Sequence, residues 1–174
     1  MHTRSMTLET FESHGIRNDT EHATLQLKKI LVPIDFSPAS TWAFSYAVRF
    51  AEEFDAELTL LYVLVPAPPR SFAAIPGERA FSKSELSGTE KNLRALIAST
   101  RNGSVQRVRS TMRIGVPSHE IVEIAKDADI DLIVIATHGY TGWKHFCIGS
   151  TAERVVRGAP CPVLVVREKE REFC

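Results

Sequence analysis

The stretch Lys29-Ile30-Leu31-Val32-Pro33-Ile34-Asp35 is short and nearly all apolar. Runs of this kind fit strands covered on both faces, as in a parallel sheet. Further strands are expected at Glu57–Val65, Val105–Ile114, Asp131–Ala136 and Val163–Val166. Between them the period changes to that of helices. Ser37-Pro38 reads as an N-cap and first helical position. Trp42, Ala43, Tyr46, Ala47, Phe50, Ala51 and Phe54 then recur at three- and four-residue steps, with Arg49, Glu52 and Glu53 off the stripe.

A second helix is expected from about Thr89, through Leu93, Leu96 and Ile97, to a stop at Asn102-Gly103. A third follows Gly115-Val116-Pro117-Ser118, with Ile121, Val122, Ile124, Ala125 and Ala128 inward. A fourth covers Ser150–Arg157 and closes at Gly158-Ala159-Pro160. Strand and helix alternate throughout, which predicts an α/β fold: one open, parallel, five-stranded, Rossmann-like sheet with helices on both faces. Val105–Ile114 is the most polar strand and is assigned to an edge. Pro33 is tolerable only near the end of its strand, where a ladder bond can be given up.

Residues 1–27 are polar without a steady period and read as a flexible extension, 28–168 as the folded domain, and 169–174 as a tail. Pro66–Gly88, rich in proline and glycine, reads as a long surface connection. Lysine plus arginine (21) equals aspartate plus glutamate (21), so no net field favours nucleic acid or anionic lipid. No run of ~18 apolar residues suggests a membrane span, and the charged N-terminus is not a secretory signal. Cys147, Cys161 and Cys174 form no C-x-x-C pair, which argues against a disulfide framework or zinc site and for a cytoplasmic setting.

In such sheets ligands bind beyond the carboxyl ends of the strands. The candidate ends are Asp35, Val63–Val65 and Ala136–Gly139. From Ala136 the chain runs through Gly139 and Gly142 to Gly149-Ser150-Thr151, the start of the fourth helix. Glycines let main-chain amides approach an anion, and a helix N-terminus favours negative charge. The alternative is plain capping: Ser150-Thr151-Ala152-Glu153 matches the S-x-x-E box. Asp35 likewise has two readings, a ligand carboxylate that accepts from ribose or base or helps hold Mg²⁺ beside phosphates, or a cap on the turn through Phe36-Ser37. His138, Lys144 and His145 have loop or solvent roles as alternatives to phosphate contact. Trp42 and Trp143 are read as packing anchors, as is Cys161, and neither Cys147 nor Cys161 has a partner base that would make it a nucleophile.

The pieces "KKILVPIDFSPAS", "GVPSHEIVEIAKDADIDLIVIATHG" and "GSTAERVVRGAPCPVLVVR" resemble the universal stress protein family, whose fold is adenine-nucleotide alpha-hydrolase-like. The resemblance covers residues 28–168. One branch of that family binds ATP through G-x2-G-x9-G-[ST]. Here Gly139, the nine residues Tyr140–Ile148 and Gly149-Ser150 match, while Ala136 stands in place of the first glycine. The resemblance implies that Pro33, Ile34 and Asp35 flank the nucleoside and that Val63 holds adenine with Ile135 near it, while Ser150 and Thr151 add hydroxyl donors at the helix N-terminus.

The function expected is binding of ATP or AMP, with Mg²⁺ as companion, in stress response or signalling. No placed base and charge clamp marks a dedicated catalyst; at most, slow hydrolysis or self-phosphorylation is expected. The alternative is a non-nucleotide interaction module of the same family. The resemblance also implies a homodimer paired along Val163, Leu164, Val165 and Val166. An adenylating enzyme is a third, weaker reading, because only Pro66–Gly88 is available as an additional substrate region.

Overall fold

The computed structural model describes residues 26–66, 81–100, 107–137 and 149–167. The expectations for the N-terminal extension, most of the Pro66–Gly88 connection, Asn102-Gly103 and the tail lie outside those residues. So do those for His138, Gly139, Gly142, Trp143, Lys144, His145 and Cys147.

The described chain runs β1 (Lys29–Pro33), α1 (Pro38–Phe54), β2 (Glu57–Leu64), α2 (Lys83–Ser99), β3 (Val108–Ile114), α3 (Pro117–Asp127), β4 (Leu132–Ala136), α4 (Ser150–Gly158) and β5 (Val163–Val166). All five strands are parallel, in the order β3-β2-β1-β4-β5. The predicted α/β architecture is therefore found, with polar β3 at one edge and β5 at the other.

Alternation along the strands divides the core in two. Ile30, Val32, Leu58, Leu60, Leu132 and Val134 meet α1 and Leu93 of α2. Leu31, Leu61, Ile133 and Ile135 meet Ile121, Ile124 and Ala125 of α3 and Ala152 and Val155 of α4. Each fully buried aliphatic side chain contributes about 1.5–3 kcal/mol relative to exposure. β1 and β4 are apolar on both faces because helices cover both.

Helix boundaries follow local chemistry. Ser37 caps α1, its side chain accepting from the Ser40 amide at 3.1 Å with Pro38 behind it. The helix stops at Asp55, which takes left-handed angles (φ 49°) and gives its amide to the Ala51 carbonyl. The second helix differs from expectation. It begins at Lys83, six residues before Thr89, so Gly88 is helical rather than part of a surface connection. The cause is a capping box at Ser82: the Ser82 side chain accepts from the Glu85 amide at 3.2 Å, and the Glu85 carboxylate accepts from the Ser82 amide at 2.8 Å. A glycine inside a helix costs about 1 kcal/mol against alanine, which a capped helix tolerates.

β1 and β4 are tied at their amino ends and part at their carboxyl ends. One oxygen of Asp131 accepts from the amides of Lys28 and Lys29 at 2.8 and 2.9 Å. The Asp131 amide donates to the Lys29 carbonyl at 2.9 Å. Pairing then runs only through Ile30↔Leu132 and Leu31↔Ile133, whereas β1 pairs β2 over its full length to Pro33↔Leu61. The Ile34 amide donates to Leu61 of β2 at 2.8 Å. Successive N–H groups of a strand point to opposite sides, so the nitrogen of Pro33 faces β4 and has no hydrogen to give. Proline thus ends the β1–β4 ladder while β4 continues beside β5 to Ala136↔Val166.

Because Ile133 is fully buried between β1 and β5, Ile133→Ala is expected to lower unfolding free energy by about 2–5 kcal/mol. The exposed Val156 changed to alanine is expected to alter it by about 0.5 kcal/mol or less. Urea unfolding followed by circular dichroism measures both.

Candidate functional site

From β1 the chain goes outward through β2 to β3, then returns across the sheet to β4 and on to β5. The connections leaving β1 and β4 therefore diverge to opposite faces, and the sheet's switch point lies between these two strands. A cleft of about 720 Å³ opens there, above their carboxyl ends. Its described lining includes Pro33, Ile34, Asp35, Val63, Ile135, Ala136, Gly149, Ser150 and Thr151. The structure thus brings together nine of the ten residues singled out from the sequence. The tenth, Gly139, is not among the described residues.

Asp35 is held on the β1 side by local bonds. Its Oδ1 accepts from the Ser37 amide at 3.0 Å, and its own amide donates to Ser40 Oγ at 3.4 Å. Ser40 and Thr41 hydroxyls in turn donate to the Ser37 carbonyl at 3.1 and 3.0 Å. The turn-capping role is therefore real, and the same residue lines the cleft. The intervening Phe36 has φ 61°, a conformation that costs a bulky residue on the order of 1–3 kcal/mol.

Opposite Asp35 stands the start of α4, and here one expectation fails. The N-cap is Gly149, not Ser150, and no side chain caps the helix. The Glu153 amide donates to the Gly149 carbonyl at 2.9 Å, while the Glu153 carboxylate pairs with Arg157 at 3.0 Å, one turn on. Ser150–Glu153 is consequently no capping box. The helix begins at Ser150, as expected, with Gly149 as its N-cap; the Gly149 amide donates to the Thr137 carbonyl at 2.7 Å, and the Thr137 amide to the Val166 carbonyl at 2.9 Å. Gly149's amide is therefore engaged within the fold rather than turned to the cleft. The first-turn amides after it have no intrahelical acceptor, and Ser150 and Thr151 line the cleft beside them.

Some lining residues were not anticipated. Tyr62 borders the cleft from β2, Phe81 from just before the Ser82 cap, Glu85 and Thr89 from α2, and Pro117 and Ile121 from α3. Glu85 was hidden by the late start assigned to the second helix. The S-x-x-E signal that would have found it is Ser82-Lys83-Ser84-Glu85. Among the described lining residues there are two carboxylates, Asp35 and Glu85, and no lysine or arginine. No cluster of three His, Cys, Asp or Glu among the described residues is placed to hold a metal ion by itself. Cys161 packs against the α3–α4 cluster. Burial first, and then the Asp131 charge, push its thiol pKa above the ordinary value, which suits the packing role and not a nucleophile. No helix among the described residues is long and apolar enough to cross a membrane.

An open parallel sheet with its cleft at the switch point and a helix N-terminus on the rim places the chain among the Rossmann-like α/β proteins. The universal stress protein family model matches residues 26–167. A universal stress protein of Methanocaldococcus jannaschii is 39% identical over 148 residues, covering 83% of this chain and 85% of that one. The solved structure of universal stress protein UspA from Lactobacillus plantarum superposes with a TM-score of 0.74 at 32% identity, covering 82% of this chain and 99% of that one. A universal stress protein in complex with cAMP shares the fold at 19% identity, with a TM-score of 0.63 over 83% of this chain and 100% of that one. The chain belongs to the universal stress protein family.

Two serines test the reassigned caps. Ser82→Ala is expected to cost about 1 kcal/mol of stability, the worth of an N-cap. Ser150→Ala, at a position that caps nothing, is expected to change it by about 0.5 kcal/mol or less. Paired urea titrations check this; a larger loss at Ser150 would restore the capping role.

Proposed function

We propose that this protein binds an adenine nucleotide, ATP or AMP, in the cleft between β1 and β4, and serves in stress response or signalling by that binding. The observation that carries the reading is the meeting of Asp35 with Gly149, Ser150 and Thr151 around one cleft, from sequence positions more than a hundred residues apart. In this reading Pro33, Ile34, Val63 and Ile135 supply the apolar walls for the nucleoside. Asp35 accepts from ribose or base. The unpaired amides of the α4 first turn and the Ser150 and Thr151 hydroxyls meet phosphate, aided by the helix dipole, and the family motif assigns Gly139 to the same role.

Ala136 departs from the ATP-binding motif of the family. It belongs to the core cluster on the α1 face and pairs with Val166, so its methyl has core neighbours to pack against and is compatible with an open cleft. A Mg²⁺ ion would arrive on the phosphates, with Asp35 as the neighbouring carboxylate, since no described cluster binds a metal unaided. The cAMP complex of a protein with this fold is consistent with the scaffold's capacity for an adenine nucleotide and says nothing of affinity here.

A second reading is a dimeric interaction module without nucleotide. It is favoured by the position of β5 at the sheet edge, with Val163, Leu164 and Val165 only partly buried; such an edge is a template for pairing with a second copy. Native mass spectrometry separates the two readings: co-purified nucleotide supports the first, an empty dimer the second.

Gly149→Asp is the sharper test. Gly149 has φ −61° and ψ 150°, angles open to any residue, and aspartate is a good N-cap. The variant should therefore fold with unchanged or raised thermal stability while its carboxylate repels phosphate. Calorimetric titration with ATP, ADP and AMP, with and without Mg²⁺, is expected to show binding by the wild type and none by Gly149→Asp. Equal affinity in the two proteins would refute the phosphate site.

A further inference from the structure

Phe36 stands between Asp35 and Ser37 with a φ of 61°. The left-handed region is otherwise left to glycine and short polar residues, so a phenylalanine there is an outlier. The turn is one in which a carboxylate oxygen replaces a main-chain carbonyl, Asp35 Oδ1 accepting from the Ser37 amide two residues on. Glycine would satisfy that backbone at no steric cost. Phenylalanine instead stacks its ring on Tyr62, with centroids 5.2 Å and planes 29° apart, and packs against the α1-side core. Tyr62 belongs to β2 and borders the cleft. Strained backbone persists only where its surroundings over-determine it. Here the ring contact fixes one side of the turn, and the hydroxyls of Ser37, Ser40 and Thr41 fix the other.

We propose that Phe36 is a positioning residue: its ring, clamped on Tyr62, locks the left-handed turn that presents the Asp35 carboxylate to the cleft. This rests on the nucleotide reading above and adds to it that affinity is set in part by a side chain outside the described lining. Removing the ring relaxes the backbone, yet it lets the turn, and the carboxylate with it, sample other conformations.

The test is a cycle of calorimetric titrations on the full chain, using whichever of ATP and AMP the wild type binds more tightly. Phe36→Gly is expected to weaken binding about tenfold, and Phe36→Tyr, which keeps the stack, to stay within about twofold. In an Asp35→Asn background Phe36→Gly is expected to cause no further loss, because Phe36 acts through the carboxylate. An equal loss in both backgrounds would make the ring general packing and overturn the proposal, as would unchanged affinity of Phe36→Gly. Should Phe36→Gly melt below the assay temperature, Phe36→Leu, which keeps apolar bulk without the stack, carries the same cycle. A wild type that binds neither nucleotide defeats the nucleotide reading itself and this proposal with it, an outcome distinct from the other two.

Discussion

A parallel sheet must be covered on both faces, and the chain can reach a parallel neighbour only by crossing one of them. With right-handed crossovers, the direction of travel along the sheet decides which face each helix covers. Here the first half of the chain builds outward from β1 and lays α1 and α2 on one face. The second half starts again on the other side of β1 and lays α3 and α4 on the opposite face. The gap between β1 and β4 follows from that reversal, and Pro33 widens it by ending the ladder on the β4 side. Asp131 closes the opposite end of the same strand pair. One end is stapled and the other is open, so the cleft has a fixed place before any side chain lines it.

Much of this could be read from the sequence because the signals were redundant. β1, β4 and β5 are apolar runs with no competing period, and α1 carries both a Ser-Pro start and a broad stripe. α2 was harder to place. Only Leu93 of that helix is buried, so its apolar pattern is thin, and the glycine and prolines before it suggested a connection. Its start is fixed by Ser82 and Glu85, a purely polar device. The strand order lay beyond reach of the pattern, since alternation of elements establishes a parallel sheet without saying where the chain reverses.

The candidate site was legible for a different reason: the residues proposed for it sit at strand ends and at one helix start, positions that the alternation locates within a residue or two. The error at Ser150 shows the limit of that. A sequence motif specifies which bonds are possible, and the carbonyl of Thr137, supplied from the end of β4, decides which are made. With the Gly149 amide so held, Gly149 is the N-cap and Ser150 is the first helical residue. The same motif at Ser82 has both reciprocal bonds.

The charges around the cleft have a physical logic of their own. A carboxylate at the end of β1 and the positive end of α4 face a common space, and each favours the opposite kind of group. A ligand with a hydrogen-bond-donating part and an anionic part can satisfy both poles, while a simple anion would meet repulsion from Asp35 and an uncharged apolar ligand would leave the helix amides unmet. The poles are also anchored separately, Asp35 through the Ser37–Ser40 turn on α1 and Gly149 through Thr137 and Val166 on β4 and β5. In the proposed reading, selectivity for a two-ended ligand would follow from the spacing between these two supports, which is set where β1 and β4 part company.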